Sequence, residues 1–197
     1  MATVETILTY GFGADPGKAA LANGRADLWW SKNAEADREI HQRFEASVQL
    51  AAAGKLNPWL AEPRGRRALI LTDQFPRNIY RDSPLAFALD TKALAWSIDG
   101  IEKSQDHCYS PSRELSSICR WSIQNSWTIK SSRFAWWASW SLVAAEQREI
   151  FEHYLNVAIL HRDIIARFGR FPHRNRVLDR SSTAEELYFL SQPASKF

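Results

Sequence analysis

The sequence predicts an all-α protein. Three observations carry that prediction. Apolar residues recur at intervals of three and four along several segments, as one face of a 3.6-residue helix requires. Helix start and stop signals bracket those segments. No run alternates apolar and polar residues between hairpin turns, as a half-buried strand would. Of 197 residues, 45% are hydrophobic and 24% charged, a balance that suits a single folded domain, 1–197, with its own core.

Taken in order, the elements read as follows. Met1–Gly13 has neither the basic start nor the apolar centre of a signal peptide. Ala34–Ala53 places Ile40, Phe44, Val48 and Ala51 or Ala52 on one helical face, and Gly54 follows as a C-cap. Arg66–Phe75 reads as a second helix with Leu69, Ile70 and Phe75 inward, stopped by Pro76, which has no backbone N–H. Ser83-Pro84 reads as an N-cap followed by proline at the first helical position, opening a helix that carries Leu85, Leu89, Ala93 and Trp96 and ends at Gly100. Glu146–Phe168 is the longest helix, with Phe151, Tyr154, Leu155, Ala158, Ile165 and Phe168 as its stripe and Gly169 at its end. Ser182 with Glu185, or Thr183 with Glu186, makes a capping box for a last helix through Leu190. No repeat of roughly 20–50 residues is visible, so a repeat array does not follow from the chain itself.

Several function classes fall away. The longest apolar stretch, Phe134–Ala145, is broken by Ser139 and Ser141 and is far shorter than the roughly 20 residues of a membrane span, so a cytoplasmic protein is expected. Cys108 and Cys119 are the only cysteines, too few for a disulfide framework or a four-cysteine zinc site. His153 and His161 are eight apart, too far for a chelating pair by themselves. No nucleophile elbow, phosphate loop or Rossmann glycine pattern occurs, so neither cofactor nor metal is expected. A net charge of +3 and a pI near 9.0 point to anionic partners, and nucleic acid has only that charge in its favour.

Two segments carry the chemistry. In Asp73-Gln74-Phe75-Pro76-Arg77-Asn78-Ile79-Tyr80, Asp73 is expected in the last turn of its helix. There the macrodipole disfavours an anion by about 0.3–1 kcal/mol, so the carboxylate calls for a cation such as Arg77. The second segment, His161–Arg176, holds His161, Arg162, Asp163, Arg167, Arg170, His173, Arg174 and Asn175. His161 falls on the inward stripe. Phe168 and Phe171 bracket a turn crowded with guanidinium groups, which bind carboxylate or phosphate bidentately. Two readings stand side by side: a site for a small anion, or arginines engaged by the chain's own acids, Asp73 and Asp163 among them.

Asp-Gln-Phe-Pro-Arg-Asn-Ile-Tyr-Arg at 73–81, the stretch His161–Asn175 and Ser182-Thr183-Ala184-Glu185-Glu186 together resemble the bacterial domain of unknown function 924 family. Leu28-Trp29-Trp30, Gly54-Lys55-Leu56 with Trp59, and Phe87-Ala88 before Asp90 support the likeness, which covers about residues 5–110 and 142–197. The resemblance implies a compact helical array with a tetratricopeptide-like superhelical arrangement and brings no activity with it. It implies Asp73, Gln74, Arg77, Asn78, His161, Arg167, Arg170, His173, Arg174 and Asn175 as site residues. One departure is Asp179, where the family pattern has glycine.

Pro111–Trp140 fits neither that pattern nor the rest of the chain. Five of the nine tryptophans lie between Trp121 and Trp140, with serines between them and no capping logic. Tryptophan has a single codon, TGG, which arises when a leucine or methionine codon ending in TG precedes one starting with G. Shifted back by one base, the segment can encode the Glu-His-Ser-Glu motif that the family shows here, and the natural frame resumes near Leu142. An out-of-frame segment is therefore expected. It would also explain the basic balance, since Arg113, Arg120, Lys130 and Arg133 stand against Glu114 alone, whereas acids outnumber bases in the shifted reading.

The function expected is a pocket, lined by the two segments, that binds a small anion and acts on it if His161 or His173 works as an acid–base group with Asp73 or Asp163. The alternative is a non-catalytic tetratricopeptide-like module that binds a peptide or protein and whose Arg/His/Asp network is structural.

Overall fold

The computed structural model describes residues 2–13, 32–62, 67–103 and 148–195. All their regular structure is helical: six α-helices and five short 3-10 helices, with no strand among the described residues. The chain divides into two units, Met1–Trp121 and Ser122–Phe197.

In the first unit, α1 (Val4–Phe12) starts at Thr3, whose hydroxyl accepts from the Thr6 N–H at 3.2 Å. This helix escapes the sequence reading because it is short and contains β-branched residues and a glycine. Burial of Ile7, Leu8 and Tyr10 holds it in place. Helix α2 (Ala34–Ala52) is capped by Asn33, which accepts from the N–H groups of Glu35 and Ala36. Its buried face is Ile40, Phe44, Val48 and Ala51, while Ala52 is exposed, which settles the alternative left open at its end. Gly54 follows with φ +76°, as the C-cap reading requires. No basic residue stands in the last turn of α2; Lys92 supplies the charge instead, donating to the Ala51 and Ala52 carbonyls at 2.8 and 2.7 Å.

The expected helix Arg66–Phe75 is corrected. Arg67–Leu71 is a 3-10 helix, Thr72 and Asp73 form a turn, and α3 runs Gln74–Ile79 with Pro76 inside its first turn. A proline there is tolerated because the first N–H groups of a helix have no intrahelical acceptor. Asp73 accordingly lies at the N-terminus of α3, where the macrodipole favours a carboxylate, and not in a last turn. The helix expected from Ser83 is corrected as well: Ser83 does cap, with Oγ accepting from the Leu85 N–H, but Pro84–Phe87 is a 3-10 helix. The α-helix proper, α4, is Asp90–Glu102. Leu85, 56% exposed, is thereby lost from the apolar face that Ala93 and Trp96 keep.

The core of this unit joins Ile7, Leu8, Ile40, Phe44, Val48, Leu69, Ile70, Leu71, Ala93 and Trp96 around an aromatic trio. Phe44 lies 4.7 Å from Phe75 and 5.0 Å from Tyr10, whose hydroxyl donates to Glu39. Packing of α2 on α3 brings the 73–81 motif against the Asp37 end of α2.

In the second unit α5 (Arg148–Phe168) ends at Gly169, whose φ of +68° and N–H bond to the Ile165 carbonyl close the helix. Its buried face carries His161 and Ile164, with Ile165 and Phe168 half-buried. The side chains of Phe151, Tyr154, Leu155 and Ala158 lie outside the described residues. A 3-10 helix, Pro172–Arg174, and a turn lead to α6 (Ala184–Ser191), followed by the 3-10 helix Pro193–Ser195. The Thr183–Glu186 capping box is present in full. Among the described residues no helix is long and apolar enough to cross a membrane.

Candidate functional site

The first motif folds into a polar relay. Arg81 grips Asp37 with two bonds, Nε to Oδ2 at 2.6 Å and Nη2 to Oδ1 at 2.8 Å. Asn78 Nδ2 donates to the same Oδ1 at 2.8 Å, and Gln74 Nε2 donates to Asn78 Oδ1 at 2.9 Å. The carboxylate thus fixes both amide orientations in turn, and Gln74 Oε1 ends the relay buried and without a donor. Burial would push the Asp37 carboxyl up, but the bonds from Arg81 and Asn78 outweigh it and hold it below the usual range. Beside this relay, Arg77 is held by Asp73 at 3.1 Å, by Asp90 at 2.7 Å and by the Ala86 carbonyl at 2.6 Å. Its guanidinium lies 4.6 Å over the Phe87 ring. The cation expected for Asp73 is therefore Arg77.

The second motif centres on Glu186, whose side chain is 2% exposed. Arg170 binds it as a fork, Nε to Oε1 at 2.6 Å and Nη2 to Oε2 at 2.8 Å. The Thr183 N–H and Asn175 Nδ2 add bonds to Oε2 at 2.8 and 3.2 Å. The Arg170 fork, the Thr183 N–H and Asn175 together overcome burial and hold the Glu186 pKa down to about 2. Arg167 pairs with Glu185 at 2.8 Å, and Arg162 with Asp163 on the exposed side of α5. His173 donates from Nε2 to the Ser195 carbonyl and meets Phe189 edge-on at 5.7 Å. His161 is buried edge-on against Phe171 at 5.4 Å, and the Arg174 guanidinium lies 4.6 Å from the centre of the same Phe171 ring. His161 and Asp163 are two apart on one helix and so point to different sides, which does not make an acid–base pair of them.

The structure thus brings Asp73 and Arg77 together, and Gln74 with Asn78, in the first unit; Arg170 and Asn175 meet on Glu186 in the second. Reasoning from sequence missed Asp37, Asp90 and Glu186 as members of these clusters. Glu186 is visible in the sequence only as a capping residue. Asp37 and Asp90 carry no local signal, because their partners lie far away along the chain. Arg180 stands apart from the other arginines. It donates from Nη2 to the Phe171 carbonyl at 3.2 Å, and its buried Nε finds no acceptor. Burial pushes its pKa down, Arg170 pushes the same way, and Glu186 opposes them through space.

An all-helical fold and two motifs, each held by arginine–carboxylate pairs within its own unit, define the class of protein. The chain belongs to the family described as bacterial protein of unknown function (DUF924), whose model matches residues 7–194. A solved structure described as the structure of protein of unknown function ATU0120 from Agrobacterium tumefaciens is similar. It shares 30% identity, with 88% of this chain and 98% of that chain covered, at a TM-score of 0.66. No curated protein matches.

Proposed function

We propose that this protein binds a small oxyanion without turning it over, at the corner of the second unit formed by Arg170, Asn175 and Arg180. The observation that carries this reading is the Arg180 guanidinium, with a buried Nε lacking an acceptor, beside an Arg170 whose one carboxylate is already saturated. Two guanidinium groups share the field of a single acid there, which leaves a positive charge for an anion to neutralise. The first motif takes a structural part in this reading, since Asp73, Gln74, Arg77 and Asn78 bond to their own chain.

The test is titration calorimetry with acetate and sulfate at constant ionic strength, on the wild type and on Arg180→Gln. Binding that the substitution abolishes is the expected result. Binding that survives it overturns the placement.

A second reading has its own observation. Arg77, Arg81, Arg167 and Arg170 are all engaged by carboxylates of their own units, as a purely structural network in a tetratricopeptide-like interaction module would be. That reading requires that no oxyanion binds and that Arg180→Gln alters stability alone.

A further inference from the structure

His173 makes a contact that the anion reading leaves unused. The residue is exposed, in the 3-10 turn after Phe171, yet its imidazole is held at two points by α6 and the turn that follows it. Phe189 of α6 meets the ring edge-on, and Phe189 in turn lies 5.1 Å from Phe168 of α5. The second hold is the Ser195 carbonyl, which accepts from His173 Nε2. A carbonyl only accepts, so Nε2 carries a proton, and in the neutral ring the lone pair is on Nδ1.

The turn that supplies this carbonyl is built as a strap. Helix α6 ends at Ser191, its C-cap Gln192 is extended (φ −81°, ψ 144°), and Pro193 opens the 3-10 turn Pro193–Ser195. Ser195 is 1% exposed. Its N–H donates back to the Gln192 carbonyl at 3.0 Å, and its Oγ reaches the Gln192 and Leu190 carbonyls at 2.7 and 3.1 Å. Both donors of Ser195 thus bind the strap to its own helix, while its carbonyl alone is spent on His173. One hydrogen bond of this kind shifts an equilibrium by roughly tenfold, so the latch can open while the rest of the unit stays folded.

A main-chain carbonyl offers His173 the same kind of acceptor as the oxygen of a carboxylate or phosphate ligand. While the carbonyl is seated, Nε2 is committed and the imidazole serves no ligand through it. We propose that Pro193–Ser195 is an autoinhibitory strap: the Ser195 carbonyl occupies His173 Nε2, and release of the turn frees that donor for a ligand oxygen. The proposal stands apart from the anion corner at Arg180 and does not require it.

Carbethoxylation by diethyl pyrocarbonate at neutral pH, followed residue by residue with peptide mass spectrometry, tests it. The reagent attacks an unprotonated ring nitrogen, and because His173 is exposed, protection there reports the strap and not burial. In the full chain His173 is expected to react roughly tenfold more slowly than in a chain ended after Gln192, the worth of the one bond removed. Ser195→Ala keeps the carbonyl but loses both Oγ bonds, and its rate is expected to fall between the two. His41, exposed in the first unit, should react alike in all three chains. His161, buried in the same unit as the strap, should stay unmodified, which shows that the shortened chain is folded. If His161 does react there, the comparison of Ser195→Ala with the full chain decides instead. Equal rates at His173 in the full chain and in the folded variants overturn the strap.

Discussion

Asp179 occupies a left-handed backbone conformation, φ +49°, in the turn between Arg176 and Arg180. Only glycine enters that conformation without a Cβ penalty. Asp179→Gly is expected to raise stability by up to about 1 kcal/mol, the left-handed penalty less the freedom glycine adds to the unfolded chain. Urea unfolding checks it. Gly169→Ala tests the same physics in reverse. Nothing lies within 4 Å of a Cβ built there, so the loss, about 1–2 kcal/mol, is backbone strain alone. Glu186 sets an acid limit. Its folded pKa is depressed, from an ordinary 4.5 to about 2, so its contribution to stability is fully present above pH 4.5 and is lost as pH falls toward 2. Glu186→Gln should flatten the stability–pH curve in that window, as chemical unfolding at stepped pH would show; an unchanged slope would place the acid sensitivity elsewhere.

Among the elements, α3 shows how a correct local signal can be attached to the wrong end. Proline was legible as a helix boundary, but it marks the first turn of α3 and not the stop of the preceding segment. The placement matters for Asp73 and Arg77, which bridge α3 to Asp90 at the start of α4. Replacing Arg77 by methionine leaves Asp73 and Asp90 without that cation in a largely buried setting and is expected to cost about 3–5 kcal/mol. Adding Asp90→Asn to it should recover part of the loss, and a double-mutant cycle by thermal unfolding measures the coupling. Ser83 and Thr183 were legible as caps because a cap is a property of four consecutive residues. The turn beyond Ser83 is 3-10, and Arg77 reaches into it at the Ala86 carbonyl.

For the whole molecule, the expected frame change in 111–140 falls outside the described residues, and the family match runs across both of its flanks. Sequencing the gene decides it: the expected result is an alternative reading of this stretch that encodes Glu-His-Ser-Glu, and a gene lacking one overturns the idea. A chain with the frame restored is expected to melt at a higher temperature. What the sequence determined by itself is the helical class, the caps at Gly54, Ser83, Gly169 and Thr183, the stripe of α2, the inward His161 and the family, all properties of neighbouring residues or of a contiguous motif. What only the tertiary structure decided is which acid meets which arginine, and which atoms are left over. Arg81 finds Asp37, Arg77 finds Asp90 and Arg170 finds Glu186 across loops that periodicity does not measure. Only once those pairs are drawn does Arg180 emerge, among the described residues, as a guanidinium whose buried donor finds no acceptor.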